Sequence, residues 1–184
     1  MTTPRRRATE TMHAGRVSAA GVVYFVTFVT AQRVPWLGNE AATQTMVASL
    51  RQWHEEGDGQ ILATTVMPDH VHVLFELGKR LTVGRCISRW KSVARRESGY
   101  AGTWQRDFWE HRVRPEENWE DYGLYILLNP YRAGLVAISE RWSGTWIPEP
   151  RRFSFSESLE AGGIPPREWI ASPDEKFFEL ETGE

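Results

Sequence analysis

Met67-Pro68-Asp69-His70-Val71-His72-Val73-Leu74-Phe75-Glu76-Leu77 places two histidines two residues apart inside a run rich in Val, Leu and Phe. Such a run favours a β-strand. Side chains at i and i+2 of a strand leave the same face, so His70 and His72 point together, about 7 Å apart by twice the strand rise. Two imidazoles converging in this way can share one metal ion. Val71 and Val73 face the other way and can pack into a core. Met67-Pro68-Asp69 reads as a tight turn, because proline presets φ. Taken alone, a His-x-His strand is more often a pair of satisfied or exposed histidines than a metal site. A second element is needed.

Upstream, Gly21 to Thr30 is β-branched and aromatic on both faces, so it reads as a central strand. Asn39 can cap a helix that runs to about Glu56, with Ala42, Met46, Val47, Leu50 and Trp53 inward. Gly57-Asp58-Gly59 stops it. Gln60 to Met67 is a second strand and forms a hairpin with His70–Leu77. Downstream, a helix from about Thr82 to Glu97 buries Val83, Ile87, Trp90 and Val93 or Ala94. Trp104 to Arg114 alternates loosely as a fourth strand. An acidic start at 116–120 opens a last helix through Tyr125 and Asn129, which Pro130 is expected to break or kink. The order β-α-β-β-α-β-α predicts an α+β, ferredoxin-like (RRM-like) sandwich with an additional C-terminal helix. In that topology the first and third strands are the central pair. The histidines then lie mid-sheet, on the face shared with the last helix.

Size and composition fit one domain: 184 residues, 41% hydrophobic and 25% charged. The expected division is a flexible basic N-terminus at 1–17, a catalytic domain at 18–146 and an acidic, Pro/Gly-containing tail at 147–184. The single Cys86 leaves no internal disulfide and fits a reducing cytosol. No apolar run reaches membrane-spanning length and the N-terminus has no signal-peptide pattern, so a cytoplasmic, nucleoid-associated protein without membrane partners is expected. The net charge of −2 hides an uneven distribution. Residues 1–148 hold 18 Lys/Arg against 15 Asp/Glu, whereas 149–184 hold 4 against 9. From Lys79 to Arg96 there are seven basic residues and no acid. A local patch is what binds phosphate, although one solvated helix face would give the same pattern.

The second element is the last helix. Tyr125 and Asn129 are i and i+4 and share a face, with Tyr122 close to it. A carboxamide oxygen with two imidazoles makes a three-ligand site with open positions, compatible with Mn²⁺ or Mg²⁺. The plain alternative for Tyr125 is a core aromatic beside Ile126 and Leu128.

Met67–Phe75, Trp104–His111 and Tyr125–Val136, with Tyr24–Phe28 and the nearby Arg33, resemble the single-tyrosine HUH transposases of the IS200/IS605 type, and more closely the REP-associated tyrosine transposases. The resemblance covers about residues 21–146. It implies cleavage and rejoining of single-stranded or hairpin DNA through a 5′-phosphotyrosine. His70 and His72 match the metal-binding histidines, Tyr125 the nucleophile and Asn129 the third, polar ligand; Tyr122 is out of position. The slight acidity and the acidic tail depart from the pattern. Arg5, Arg6, Arg7, Arg85, Arg89, Lys91, Arg95, Arg96, Arg106 and Arg112 are the expected DNA-contacting cations. Trp104, Trp109 and Trp119 could stack on bases, though core packing is the more common use. Two other readings stay open: a catalytically inactive module that binds single-stranded nucleic acid, and a metal-dependent phosphoesterase with water as nucleophile. Monomer and homodimer are both compatible with the chain.

Overall fold

The computed structural model describes residues 18–99 and 102–171. Arg5, Arg6 and Arg7 lie outside them. Strands β1 (Val23–Val29), β2 (Gly59–Val66), β3 (His70–Leu77) and β4 (Trp109–Arg112) alternate with helices α1 (Glu40–Glu55) and α2 (Val83–Glu97) in the predicted β-α-β-β-α-β order. Helix α3 (Trp119–Arg132), the two-residue strand β5 (Thr145–Trp146) and the short helix α4 (Arg167–Ala171) follow. The antiparallel sheet has the order β4-β1-β3-β2-β5, which puts β1 and β3 at its centre, as a ferredoxin-like sandwich requires.

Strand parity sorts the two faces. Tyr24, Val26 and Phe28 of β1 and Val71, Val73 and Phe75 of β3 join the buried sides of α1 and α2 in the larger core. Phe25 and Leu74 face the opposite way and meet Tyr122, Tyr125 and Ile126 of α3. Both expected helix stripes are buried: Ala42, Met46, Val47, Leu50 and Trp53 on α1, and Val83, Ile87, Trp90 and Ala94 on α2. Asn39 caps α1 with its side chain, accepting from the amides of Ala41 and Ala42.

Two local expectations change. The fourth strand is shorter than 104–114. Residues 103–105 meet the end of β1 only through an isolated bridge between Thr30 and Trp104, and Lys91 Nζ donates to the carbonyls of Gln105 (2.9 Å) and Asp107 (3.5 Å). Pro130 does not end α3. The helix continues to Arg132, with Asn129, Pro130 and Tyr131 all buried, so tertiary packing outweighs the lost amide at proline. The chain beyond Trp142 contributes strand β5 to the sheet edge and seats Phe153, fully buried, against α3. Gly123 of α3 makes room for that ring: a methyl group at this position would overlap it. No helix among the described residues is long and apolar enough to cross a membrane.

Candidate active site

One register row crosses the sheet on the α3 face. Trp109 of β4 pairs with Thr27 of β1, Thr27 with His72 of β3, His72 with Thr65 of β2, and Thr65 with Thr145 of β5. His70 lies two residues from His72 on the same face, as the strand reading requires.

The two imidazoles converge edge to edge. Their Nε2 atoms are 3.1 Å apart and the ring planes cross at 79°. Each outer nitrogen is held by another side chain. His70 Nδ1 lies 2.6 Å from Asp69 Oδ1, and His72 Nδ1 lies 2.8 Å from Thr27 Oγ1. Asp69 is held in turn by Arg33, whose Nη1 donates to Oδ2 at 3.0 Å. The hydrogen bond to His70 and the Arg33 guanidinium bring the Asp69 carboxyl down to about 2, against the effect of its burial. Burial keeps the His72 imidazole well below the usual histidine range, with His70 acting the same way, so its ring is neutral at physiological pH.

This donor set fits a divalent metal. Two metal–nitrogen bonds of about 2.1 Å at near-tetrahedral or octahedral angles hold the nitrogens about 3.0–3.4 Å apart, and the observed separation is 3.1 Å. A tautomer with Nδ1–H toward Asp69 and toward Thr27 leaves both Nε2 lone pairs pointing into the same space. Outer-nitrogen partners of this kind fix the orientation of metal-binding histidines. Among the described residues no group of three His, Cys, Asp or Glu side chains is placed to hold a metal. Asn129 is buried on α3 one turn beyond Tyr125, on the same side of the helix.

Of the two tyrosines on this side of α3, Tyr125 meets His72. Its ring lies 5.2 Å from that of His72, and both pack on Phe25, the tyrosine edge-on at 5.9 Å and the imidazole stacked at 5.6 Å. Tyr122 belongs to a neighbouring group. Its hydroxyl donates to Glu117 over 3.5 Å, and Glu117 also accepts from His111 Nε2 at 2.9 Å. Burial and the Glu117 carboxylate push the Tyr122 phenol up to about 12, which makes it a poorer nucleophile than an ordinary tyrosine.

The cations are dispersed. Helix α2 packs on the sheet face opposite the histidines. The run of basic residues there overstates the charge offered to solvent. Arg89 pairs with Glu56 and Asp58, and Lys91 is spent on main-chain carbonyls. Arg96 pairs with Glu97 at the surface, and Arg85 and Arg95 are exposed. Arg106 is exposed in the loop before β4, and Arg112 is exposed on β4 opposite Tyr24, by parity on the α1/α2 side. Trp104 packs against the α1/α2 core, while Trp109 and Trp119 pack, half-buried, on the α3 side. Sequence reading treated Asp69 only as a turn residue and gave Thr27 and Arg33 no role. The signal for Asp69 was its place directly before His70. Thr27 could be found only through the register.

A family model described as "Transposase IS200 like" matches residues 18–114, more than half of the chain. A protein of Haemophilus influenzae described as a REP-associated tyrosine transposase is 26% identical over 174 residues, covering 85% of this chain and 92% of that protein. The REP-associated tyrosine transposase of Escherichia coli K12 is 27% identical over 113 residues, 60% of this chain and 62% of that protein. Among solved structures, a REP-associated tyrosine transposase bound to a REP hairpin superposes with a TM-score of 0.62 at 20% identity, covering 95% of this chain and 93% of that one, which is a likeness of fold. The chain belongs to the IS200-like transposases, enzymes of DNA strand cleavage and transfer.

Proposed function

We propose that the protein is a metal-dependent single-stranded DNA transesterase, with Tyr125 as nucleophile and His70, His72 and Asn129 as ligands of Mg²⁺ or Mn²⁺, acting on REP-type hairpin DNA. The reading is carried by the convergence of the two Nε2 atoms at 3.1 Å beside the Tyr125 ring. The hairpin substrate is taken from the solved relative, which was bound to one.

When bound, the metal neutralises and orients the scissile phosphate. Phe25 packs against both the His72 and Tyr125 rings and fixes them relative to each other. Asp69 and Thr27 keep the imidazoles from rotating. Tyr125 Oη attacks phosphorus, its proton passing to solvent as the P–O bond forms. The bond to the 3′-oxygen breaks, and that oxygen takes up a proton as it leaves. The product is a 5′-phosphotyrosine and a free 3′-hydroxyl. The ester retains the phosphodiester's energy, so attack by another 3′-hydroxyl restores the tyrosine and joins a new strand without ATP.

The test is incubation with hairpin DNA carrying labelled single-stranded flanks, with Mn²⁺ or Mg²⁺, on a denaturing protein gel. A slow protein band labelled through the DNA 3′ to the cut is expected, lost in Tyr125→Phe and in EDTA. Cleavage without an adduct would instead establish the water-using phosphoesterase. Persistence of the adduct in Tyr125→Phe would move the nucleophile to another residue.

A further inference from the structure

The connection between β1 and α1 carries a backbone cost. Among the described residues, the non-glycine residues with a left-handed backbone are Gln32 (φ 55°) and Arg33 (φ 54°), side by side. That region is unfavourable for residues with a Cβ. Both residues are exposed, so neither is held there by burial of its own side chain. The conformation is imposed from both sides. Thr30 donates its amide to Asp69 O at 2.8 Å, and its hydroxyl lies within reach of both Val34 O (2.8 Å) and Asp69 O (3.0 Å). Beyond the bend, Trp36 and Leu37 are buried and Leu37 N donates to Pro68 O at 3.0 Å. The bend is therefore bolted to the turn that precedes His70.

The consequence of this geometry is the position of one guanidinium. Arg33 reaches Asp69, which reaches His70. Its side chain is 56% exposed although one Nη is engaged. A guanidinium has five N–H donors, so most of the fork remains available at the rim of the histidine pair. Strain concentrated in an exposed bend that presents a cation beside a reactive centre points to a ligand for that cation. The ligand that a planar fork fits, and that the neighbouring chemistry brings there, is a phosphodiester.

We propose that Arg33 is a DNA phosphate-binding residue: the strained β1–α1 bend presents its guanidinium to a nonbridging oxygen of the single-stranded backbone next to the phosphate at His70 and His72, and Asp69 keeps it aimed there between substrates. This rests on the proposed single-stranded DNA substrate, and it assigns Arg33 a contact independent of the metal.

The test is equilibrium binding of the full chain to the hairpin with its single-stranded flanks, in EDTA, with a neutral methylphosphonate placed at each flank position in turn. Arg33→Ala is expected to weaken binding about tenfold and to lower the slope of log affinity against log salt by about 0.7, the value for one contact to a single strand. At one position the losses from Arg33→Ala and from the methylphosphonate should fail to add, because both remove the same contact. Arg33→Lys should retain the salt slope while losing affinity, since an ammonium keeps the charge but not the fork. Additive losses at every position, in variants that melt with wild-type cooperativity, would overturn the proposal. The adduct assay reads the transesterase separately. Normal adducts with additive losses reject Arg33 alone. Non-additive losses in a chain that forms no adduct reject the transesterase and leave the Arg33 contact standing.

Discussion

The two faces of the sheet come from alternate residues of the same strands, yet their aromatic groups do different things. On the α1/α2 face, Trp53, Trp90 and Phe75 meet edge to face at 5.2, 5.3 and 5.7 Å between centroids, all three without solvent exposure. Rings arranged in this way contribute packing energy and leave nothing for a ligand to bind. On the α3 face, Phe25 packs against His72 and Tyr125 at similar distances, but here the rings carry polar atoms, and the His72 Nε2 converges on that of His70 at 3.1 Å. The period of two in β3 thus sends Val71, Val73 and Phe75 into the larger core and His70 and His72 to the face of the proposed site. Stability and activity should therefore be separable by choosing the face.

The largest expected effect breaks the chemical face alone. His70→Ala removes one of the two converging nitrogens at a position whose side chain is 17% exposed. Adduct formation should fall by at least about a thousandfold, on the order of 4 kcal/mol of barrier. The melting temperature should shift by only a few degrees, because the site lies outside the apolar clusters and the hydrogen bond lost to Asp69 is worth about 0.5–1.5 kcal/mol. Unfolding of this variant under assay conditions would show that the histidine pair is itself a structural element.

The converse variant is Trp90→Ala. It should cost about 3–5 kcal/mol of stability from lost burial and the cavity left behind, seen as a drop of roughly 10 °C in melting temperature for a domain of this size. Adduct formation per folded molecule should stay at wild type. A comparable fall in specific activity would mean that the two faces communicate through the sheet.

The parts legible in the sequence are those encoded by a local period. The α1 and α2 stripes, the central β1/β3 pair and the shared direction of His70 and His72 all follow from spacings within one element. Thr27 and Asp69 were not legible as histidine partners because a threonine in a strand and an aspartate in a turn have ordinary local explanations. Only the β1–β3 register brings the Thr27 hydroxyl to His72. The Lys79–Arg96 run carries less free charge than its composition suggests. Composition counts cations, whereas Glu56 and Asp58, which neutralise Arg89, enter from the α1–β2 connection about 30 residues earlier. Pro130 followed a sound local rule that burial of α3 overrode.

A smaller effect sharpens the claim that the chemical face is preorganised. Asp69→Ala removes the partner of His70 Nδ1 and leaves both proposed nitrogen ligands in place. Outer-nitrogen partners are typically worth about 10–100-fold in metal affinity. Calorimetric titration of Mn²⁺ into the DNA-free protein should show a loss in that range. Unchanged affinity would mean that Asp69 serves the turn and that β3 alone aims the imidazole.

The smallest expected effect concerns the cations on the other face. Arg85 and Arg95 are exposed, but α2 packs against the side of the sheet that carries Val71, Val73 and Phe75, so the sheet stands between these residues and the histidines. A single strand threaded over His70, His72 and Tyr125 cannot reach them without passing the sheet edge. The double variant Arg85→Ala, Arg95→Ala should therefore change affinity for an isolated single-stranded flank by less than about twofold, the scale expected for distant, screened charges. Repeating the titration with the complete hairpin separates two arrangements of the duplex. If affinity is again unchanged, strand and stem both lie on the α3 face. If only the hairpin loses affinity, with a salt slope lowered by about 0.9 per phosphate contact removed, the stem wraps around the sheet edge and the exposed cations of α2 hold it there.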